Sequence, residues 1–500
     1  MAAKVISNRE TEAKLGVPDR FEMPDLEAVG GGLRARPMPV LELDARYYDT
    51  PDLRLARRGV TLRHRDGDPV PWTLKLPEDD GAGPLRRREL SAPGEPGDVP
   101  ADLAALVRAQ ARRATLGQVA RLRTTRSGVQ LVDAEGVAVA EVVEDHVEVE
   151  GGPRGSSRIR ELEVEVFEEA PDGLLEALVG LLREAGGRPG ERRPKLVQAL
   201  GAQAEAAPDG AAEALGPRPT AAEVVRAAIA GSVERVLRHD AGVRLGDDPE
   251  DVHQARVGAR RLRSDLRTFR TLLDPAWREE LEGELRWLGE VLGAVRDADV
   301  LAERLARQGA ELPVEDAIGV RNLLQRLERD REIARVRLLE AMDGDRYVEL
   351  LDRLVEAARA PRTLPEADAP AAKVLPRLVR KPWRQLRREV RALAADPPDD
   401  ALHRVRIRAK RARYAAEAAR PAAGAKAHRF AKRIAEVQGV LVVAQDAAVA
   451  EAWLREHSRG AALVAGELVA AQRAERAALR AAWPDAWRGA DRKKLRRWLG

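Results

Sequence analysis

The sequence predicts an α+β chain in two parts: a strand-rich N-terminal part and an all-helical C-terminal part that is internally duplicated. Three observations carry this reading. Residues 1–170 alternate apolar and charged side chains in short runs broken by Gly, Pro and Asp, the period of half-buried strands. Residues 201–220 are small and rich in Ala, Gly and Pro without apolar periodicity, as a linker would be. Beyond them lie long Ala/Leu/Arg/Glu segments, and these repeat. His253–Arg263 aligns with His403–Arg413, with His, Arg, Ala, Arg and Arg shared at equivalent positions.

Composition bounds the rest. A chain of 500 residues suits two or three domains. Apolar residues make up 44% but aromatics only 3%, so the cores must be built from Leu, Val and Ala, and a disordered chain is excluded. With no Cys, a disulfide scaffold, thiolate metal sites and Cys nucleophiles are excluded too. No apolar run approaches the ~18 residues of a membrane span, and the N-terminus lacks a signal-peptide core. A cytoplasmic protein is expected, with no membrane partner. The net charge of +4 hides an asymmetry: 30 basic and 35 acidic side chains in residues 1–200, against 56 and 47 in the rest. A basic second part points to a polyanionic partner.

The strand candidates are Glu10–Lys14, Val60–Arg65, Trp72–Leu76 and Glu161–Val166, and Leu103–Arg113 and Leu174–Glu184 look helical. On a strand, alternate side chains share a face. Glu10, Glu12 and Lys14 therefore lie together, as do Arg63 and Arg65, Thr73 and Lys75, Arg87 and Glu89, Arg121 and Arg123, and Glu161, Glu163 and Glu165. An ordinary wet face explains any one of these strands. Their recurrence, with both signs of charge, suits a closed barrel whose interior holds water, metal and an anion, since burying bare ions costs several kcal/mol each. Glu-x-Glu pairs offer hard oxygen ligands to Mg²⁺ or Mn²⁺, and Arg and Lys rows offer donors to phosphate.

Glu10-Thr-Glu12-Ala-Lys14 resembles the E-x-E-x-K signature of the CYTH family, the triphosphate tunnel metalloenzymes. Tyr47–Pro51, Leu62–Arg65, Thr73–Lys75, Arg87–Glu89, Asp145, Glu161–Glu163 and Lys195 follow in that family's order. The resemblance implies an eight-stranded closed antiparallel tunnel that binds a linear triphosphate with a divalent metal. By position it implies Glu10, Glu12 and Lys14 as catalytic residues. Glu10, Glu12, Asp145, Glu161 and Glu163 would hold metal, and Arg63, Arg65, Lys75, Arg87, Arg121 and Arg123 would clamp phosphates. Mg²⁺ or Mn²⁺ is the cofactor implied.

In the helical part, His253, Arg256, Arg260, Arg263, Arg267 and Arg270 are spaced 3, 4, 3, 4, 3, which places them on one helix face about 25 Å long. Val252, Ala255, Ala259, Leu262, Leu266 and Phe269 form the stripe to be buried beside it. His403, Arg406, Lys410 and Arg413 repeat the device beside Leu402, Val405, Ala409 and Ala412. Arg377, Arg380, Arg384, Arg387 and Arg391 make a further row, with Pro382 placed to kink or start its helix. Like charges at i,i+4 cost a helix roughly 0.2–0.5 kcal/mol per pair, so such stripes call for an external anion. Near the two motif stripes only Phe269 and Tyr414 are aromatic, which makes a nucleic-acid partner a poor fit.

These stripes, with Leu292–Val300, resemble the CHAD family. The resemblance implies a pair of four-helix units binding inorganic polyphosphate, with His253, Arg256, Arg260, Arg263, Arg267, Arg270, Arg384, His403, Arg406, Lys410 and Arg413 as the binding set. Glu436–Val449 loosely matches Glu290–Val300, but Val442 stands where the first copy has Gly293. The expected division is a CYTH tunnel domain at 1–200, a linker at 201–218 and a CHAD domain at 219–490, with halves of about 219–360 and 371–490. The expected function is metal-dependent hydrolysis of inorganic triphosphate coupled to polyphosphate binding, in the cytoplasm, with or without polyphosphate granules. A non-catalytic polyphosphate binder, and a triphosphatase for thiamine triphosphate or nucleotides, are the alternatives.

Overall fold

The computed structural model describes residues 6–18, 20–78, 85–150, 157–167, 170–191 and 193–499, without the side chains of 6–10, 85 and 157. It forms two compact units that meet along the chain at Asp209 and Gly210.

The first unit is built on strands β1 (Ile6–Gly16), β2 (Arg34–Pro37), β3 (Leu41–Asp49), β4 (Thr61–Asp66), β5 (Trp72–Pro77), β6 (Leu85–Ala92), β7 (Gly117–Val132), β8 (Ala138–Glu150), β9 (Ser157–Val166) and β10 (Arg188–Pro189). Eight of them close into an antiparallel barrel in the order β1-β6-β5-β4-β3-β7-β8-β9, with β9 returning to β1. β2 adds to β7 and β10 to β1, outside the ring. Short helices α1 (Ala101–Leu106), α2 (Arg108–Ala111), α3 (Leu174–Glu184), α4 (Lys195–Leu200) and α5 (Ala202–Glu205) complete the unit.

Period-two alternation divides the strands between two apolar clusters. On the outside, Leu15, Val142, Leu162 and Val164 pack beneath Leu174, Leu178 and Leu182 of α3. On the inside, Ala45, Tyr47, Leu122, Val147 and Val149 pack against Leu196, Val197 and Leu200 of α4, which plugs one end of the barrel. The expected linker begins later than the sequence suggests. Residues 202–205 form α5, and Asp209 meets the guanidinium groups of Arg57 and Arg112 at 3.7 and 3.4 Å.

The second unit is helical: α6 (Ala221–Leu245), α7 (Pro249–Thr268), α8 (Pro275–Gly309), α9 (Ala317–Asp343), α10 (Asp345–Arg359), α11 (Ala371–Arg391), α12 (Asp399–Ala418), α13 (Arg420–Glu456), α14 (Ala462–Ala490) and α15 (Lys493–Arg496). Local sequence sets the starts. Thr220 and Glu223 form a reciprocal capping box on α6, and Asp248-Pro249 and Asp274-Pro275 cap α7 and α8. α6 crosses α7 closely because position 258 is Gly; a Cβ there would stand 2.9 Å from Val236.

The starts of α6 and α11 pair with each other: Ala221 donates to the Ala369 carbonyl and Ala371 to that of Pro219, both at 2.9 Å. The two halves meet this way at equivalent positions, and α7 packs on α12 across the same divide. Both apolar stripes expected from spacing are buried, Val252 through Phe269 and Leu402 through Ala412.

Two expectations are corrected here. α11 runs through both Pro376 and Pro382 as one helix, so Pro382 neither starts nor ends it. An apolar window of span length does occur: α13 contains 18 residues of mean hydropathy 1.2. Its Ala content raises that average, while Phe430, Ile434, Val437 and Leu441 are buried as a core helix buries one face.

Candidate functional site

The lumen gathers charge from most of its strands and from α4. β1 pairs Lys14 opposite Glu163 of β9, so both point inward. The Lys14 ammonium donates to Glu161 at 2.9 Å and to Glu163 at 2.5 Å. Burial works against its charge, but Glu163, Glu12 and Glu161 outweigh that and hold it above the ordinary lysine range. Lys195, at the start of α4, reaches the same acids, bonding Asp145 and lying 3.4 and 3.2 Å from Glu161 and Glu163.

Arg126 of β7 completes the lattice. Its Nε donates to Asp145 at 2.8 Å, and its Nη2 to Glu163 at 2.9 Å. Asp145 is wholly buried. Burial would raise its carboxyl, yet Arg126 and Lys195 hold it below the usual range. Glu163 is held low against burial by Lys14, Lys195 and Arg126.

A second group of cations lines the same space. Arg87 lies 3.6 Å from Glu12, Lys75 lies 2.8 Å from Glu89, and Arg65 lies 3.4 Å from Asp68. Repulsion from Arg63, with burial second, lowers the Arg65 guanidinium to about 10. Tyr47 opposes Arg63 on the neighbouring strand. Burial opposes ionisation of its phenol, but Arg63, Lys195 and Arg65 pull it below its ordinary value. Burial, aided by Glu12, Glu141 and Glu89, pushes Glu165 up to about 7.

The second unit presents a groove of about 840 Å³ between α7, α8, α11 and α12. Arg256, Arg260, Arg263 and Arg267 line it from α7, Arg270 from the turn after it, and Arg406, Arg408, Lys410 and Arg411 from α12. Arg286 enters from α8, and Arg377 and Lys381 from α11. Among the described residues, Glu290 is the single acid of this lining. The Nε atoms of Arg256, Arg260 and Arg406 are buried without a hydrogen-bond acceptor. Lys410 stands at the centre; burial, then Arg260, Arg406, Arg263 and Arg256, lower its ammonium to about 7.

Two family models match stretches of the chain. A family model described as CYTH domain matches residues 8–189, and one described as CHAD domain matches residues 227–455. The uncharacterized protein Rv2226 of Mycobacterium tuberculosis is 36% identical over 442 residues, covering 82% of each chain. The chain is a CYTH–CHAD protein. The uncharacterized protein MT2285, from another strain of Mycobacterium tuberculosis, matches with the same identity and coverage. Among solved structures, PptA from Streptomyces chartreusis aligns at TM-score 0.45 and 26% identity, over 54% of this chain and 99% of that one. The CHAD domain from the plant Ricinus communis aligns at TM-score 0.42 and 29% identity, over 58% and 95%. CYTH domains are in general metal-dependent enzymes of triphosphates, and CHAD domains are associated with polyphosphate.

In the CYTH barrel, the sequence-derived set Glu12, Lys14, Arg63, Arg65, Lys75, Arg87, Asp145, Glu161 and Glu163 shares the lumen. Glu10 stands opposite Arg87 in β1, and its side chain lies outside the described residues. Arg121 and Arg123 are corrected. They take the outer phase of β7, where Arg121 donates to Asp44 at 2.9 Å and Arg123 lies 2.9 Å from Glu150. The inward guanidinium of that strand is Arg126, in phase with Leu122 and opposite Asp145. Sequence reading passed over Arg126 because Arg121-x-Arg123 looks like a pair. The register to Asp145 is the signal that separates them.

For a divalent cation, the lumen offers hard carboxylate oxygens, and Glu12 Oε1 is buried with no hydrogen-bond partner. No three described acids form a ready ligand cluster, because Lys14, Lys195 and Arg126 sit between them. Glu12, with Asp145, Glu161 and Glu163, would hold such a cation, and Glu12 Oε1 is the oxygen not already engaged in a hydrogen bond.

In the CHAD groove, Arg256, Arg260, Arg263, Arg267, Arg270, Arg406 and Lys410 line the cavity. His253, His403, Arg384 and Arg413 lie outside its lining. His403 Nδ1 bonds Gln445 at 2.8 Å, and Arg413 lies 3.2 Å from Glu417 beside the Tyr414 ring. His253 has its charge disfavoured by burial and then by Arg296, which occupies the position equivalent to Gln445. Arg384 is exposed on α11. Arg286, Arg408 and Arg411 join the groove from outside the motif rows, and only assembly of the helices reveals them.

Proposed function

We propose that the CYTH tunnel hydrolyses inorganic tripolyphosphate with Mg²⁺ or Mn²⁺, and that the CHAD groove binds inorganic polyphosphate. The observation that carries this reading is the alternation of carboxylates and cations inside one closed barrel. A nonspecific anion site would not need four buried acids among its cations. Arg63, Arg65, Arg126, Lys75 and Arg87 hold the phosphate oxygens, and Lys14 and Lys195 keep the acids ionised until substrate enters. Glu12, Glu161 and Glu163, with Glu10, would hold the metal, which supplies charge neutralisation on the transferring phosphoryl group. Water attacks the terminal phosphorus in line, the bond to the bridging oxygen breaks, and orthophosphate and pyrophosphate leave.

The α4 plug supports a linear substrate with one free end, and the phosphate-rich partner of the second domain favours tripolyphosphate. The test is phosphate release from tripolyphosphate, thiamine triphosphate and ATP, with Mg²⁺, Mn²⁺ and chelator. Release from tripolyphosphate should dominate and vanish with chelator. Release that survives chelation would overturn the metal-dependent reading.

A further inference from the structure

Resting on the polyphosphate reading of the groove, we propose that the bound chain does not end there but crosses α11 to a basic C-terminal segment, making this protein selective for long chains. Arg384 belongs to a row by its spacing, yet it lies outside the groove lining. Arg377, Lys381, Arg384, Arg388 and Arg391 are spaced 4, 3, 4, 3 and so share one face of α11. That face spans about 21 Å at 1.5 Å per residue. Its first two members, Arg377 and Lys381, also line the groove. Lys381, Arg384, Arg388 and Arg391 are exposed.

On the far side of this ridge lies the C-terminal segment. Arg380 donates to the Leu499 carbonyl at 2.9 Å, and Arg387 lies 2.9 Å from Asp491. Trp498 stacks edge-on against Phe430, which meets Trp383 of α11 in the same way. These contacts fix the segment against α11 and leave Arg492, Lys493, Lys494 and Arg497 exposed. The two acids at the ridge are already engaged: Asp491 with Arg387 and Arg496, and Glu389 with Arg404 and Arg408. Among the described residues none of Lys381, Arg384, Arg388, Lys493, Lys494 or Arg497 forms an ion pair. The ridge and the segment thus continue the groove as one run of cations, in which Arg256, Arg267 and Arg408 have acid partners and most others have none among the described residues. A polymer of uniform charge gains from each further contact by releasing counterions, whereas a chain no longer than the groove gains nothing beyond it. No exposed aromatic stands on the ridge to stack a base, so a phosphate polymer fits better than nucleic acid.

The experiment titrates the full chain with short and long inorganic polyphosphate, and with single-stranded RNA, at several ionic strengths. One variant carries Arg384→Glu and Arg388→Glu. A second carries Lys493→Glu and Lys494→Glu, which leaves the buried contacts of Leu499 and Asp491 in place. Both should lose about tenfold in affinity for long chains with a shallower salt slope, while short-chain affinity holds. Equal loss for both lengths, or no loss in either variant, overturns the track. Loss confined to RNA makes the ridge a nucleic-acid contact and overturns it as well. Wild-type protein that binds neither length of polyphosphate refutes the reading of the groove, and the track falls with it.

Discussion

The tunnel and the groove both collect cations, but they neutralise them differently. In the tunnel, Lys14, Lys195 and Arg126 rest on Asp145, Glu161 and Glu163, and burial is offset by pairing. In the groove, Arg256 pairs with Asp297 and Arg267 with Glu282, but most of the dozen cations face one another around Glu290, and burial together with that repulsion lowers the ammonium of Lys410 to about 7. A paired site is preorganised before substrate arrives and can accept a metal by exchange. A site whose cations outnumber their acid partners is destabilised until an anion fills it, so the anion itself contributes the missing neutralisation. The difference supports the proposal of chemistry in the tunnel and retention of a polymer in the groove.

The largest effect should come from breaking the pairing. Arg126→Ala removes donors from Asp145 and Glu163 and a clamp from the phosphates. Turnover of tripolyphosphate should fall by about a hundredfold or more, the scale seen when one preorganised donor is removed. Near-normal kcat/KM in the folded variant would show that the lattice is structural.

The groove should respond less steeply per residue but with a distinct salt signature. Arg256→Glu with Arg263→Glu reverses the local charge without touching the buried stripe. Long-chain polyphosphate affinity should drop about ten- to a hundredfold and lose part of its salt dependence, because fewer counterions are released. Tripolyphosphate turnover by the tunnel serves as the internal control. Titrations at several ionic strengths that superimpose on wild type would remove the groove as the site.

A smaller, pH-dependent effect should separate the two sites further. Lys410 has its ammonium lowered to about 7, against 10.5 ordinarily. Between those values the unfolded chain holds a proton that the folded groove does not. The stability this group costs the fold is therefore full below about 7 and fades as pH rises towards 10.5. Binding runs the other way. A phosphate chain favours the ammonium, so affinity should fall as pH rises above 7, by at most about tenfold per unit for one proton. Calorimetry at pH 8 in buffers of different ionisation heat should detect proton uptake. Lys410→Arg should bind with little pH dependence in this window.

Much of this was legible in the sequence, for reasons that differ between the parts. The apolar stripes of α7 and α12 are legible residue by residue, because helical period fixes which face is buried. Continuity of α11 through Pro382 was not legible, since only packing of Val379, Trp383 and Leu386 into the core sustains the helix past the missing donor. The groove was read as rows, and its floor was not, because Arg286 and Arg408 reach it only after four helices assemble. In the barrel, period two told which residues share a face within a strand. It did not tell which of the two faces is the lumen, and that choice rests on pairing between strands far apart in sequence.

β7 is where that choice can be tested with the smallest expected effect. Arg121 and Arg123 sit one phase away from Arg126, and the pairing Arg121↔Glu150 against Arg126↔Asp145 puts the first two outside. Outside, Arg123 keeps 53% of its side chain exposed, and its partner Glu150 keeps 43%. Surface ion pairs of this kind contribute roughly 0–1 kcal/mol. Arg121→Ala with Arg123→Ala should therefore leave tripolyphosphate turnover and KM within about twofold of wild type and shift unfolding only slightly. A lumen position would predict the opposite, since two guanidinium groups lost from a triphosphate clamp would each remove a charge-assisted hydrogen bond worth about 1.5–3 kcal/mol. Steady-state kinetics of this double variant beside Arg126→Ala thus reads the barrel register directly. A strong loss in the double variant with a silent Arg126→Ala would mean that β7 is paired one residue out of phase, and every lumen assignment on that strand would invert with it.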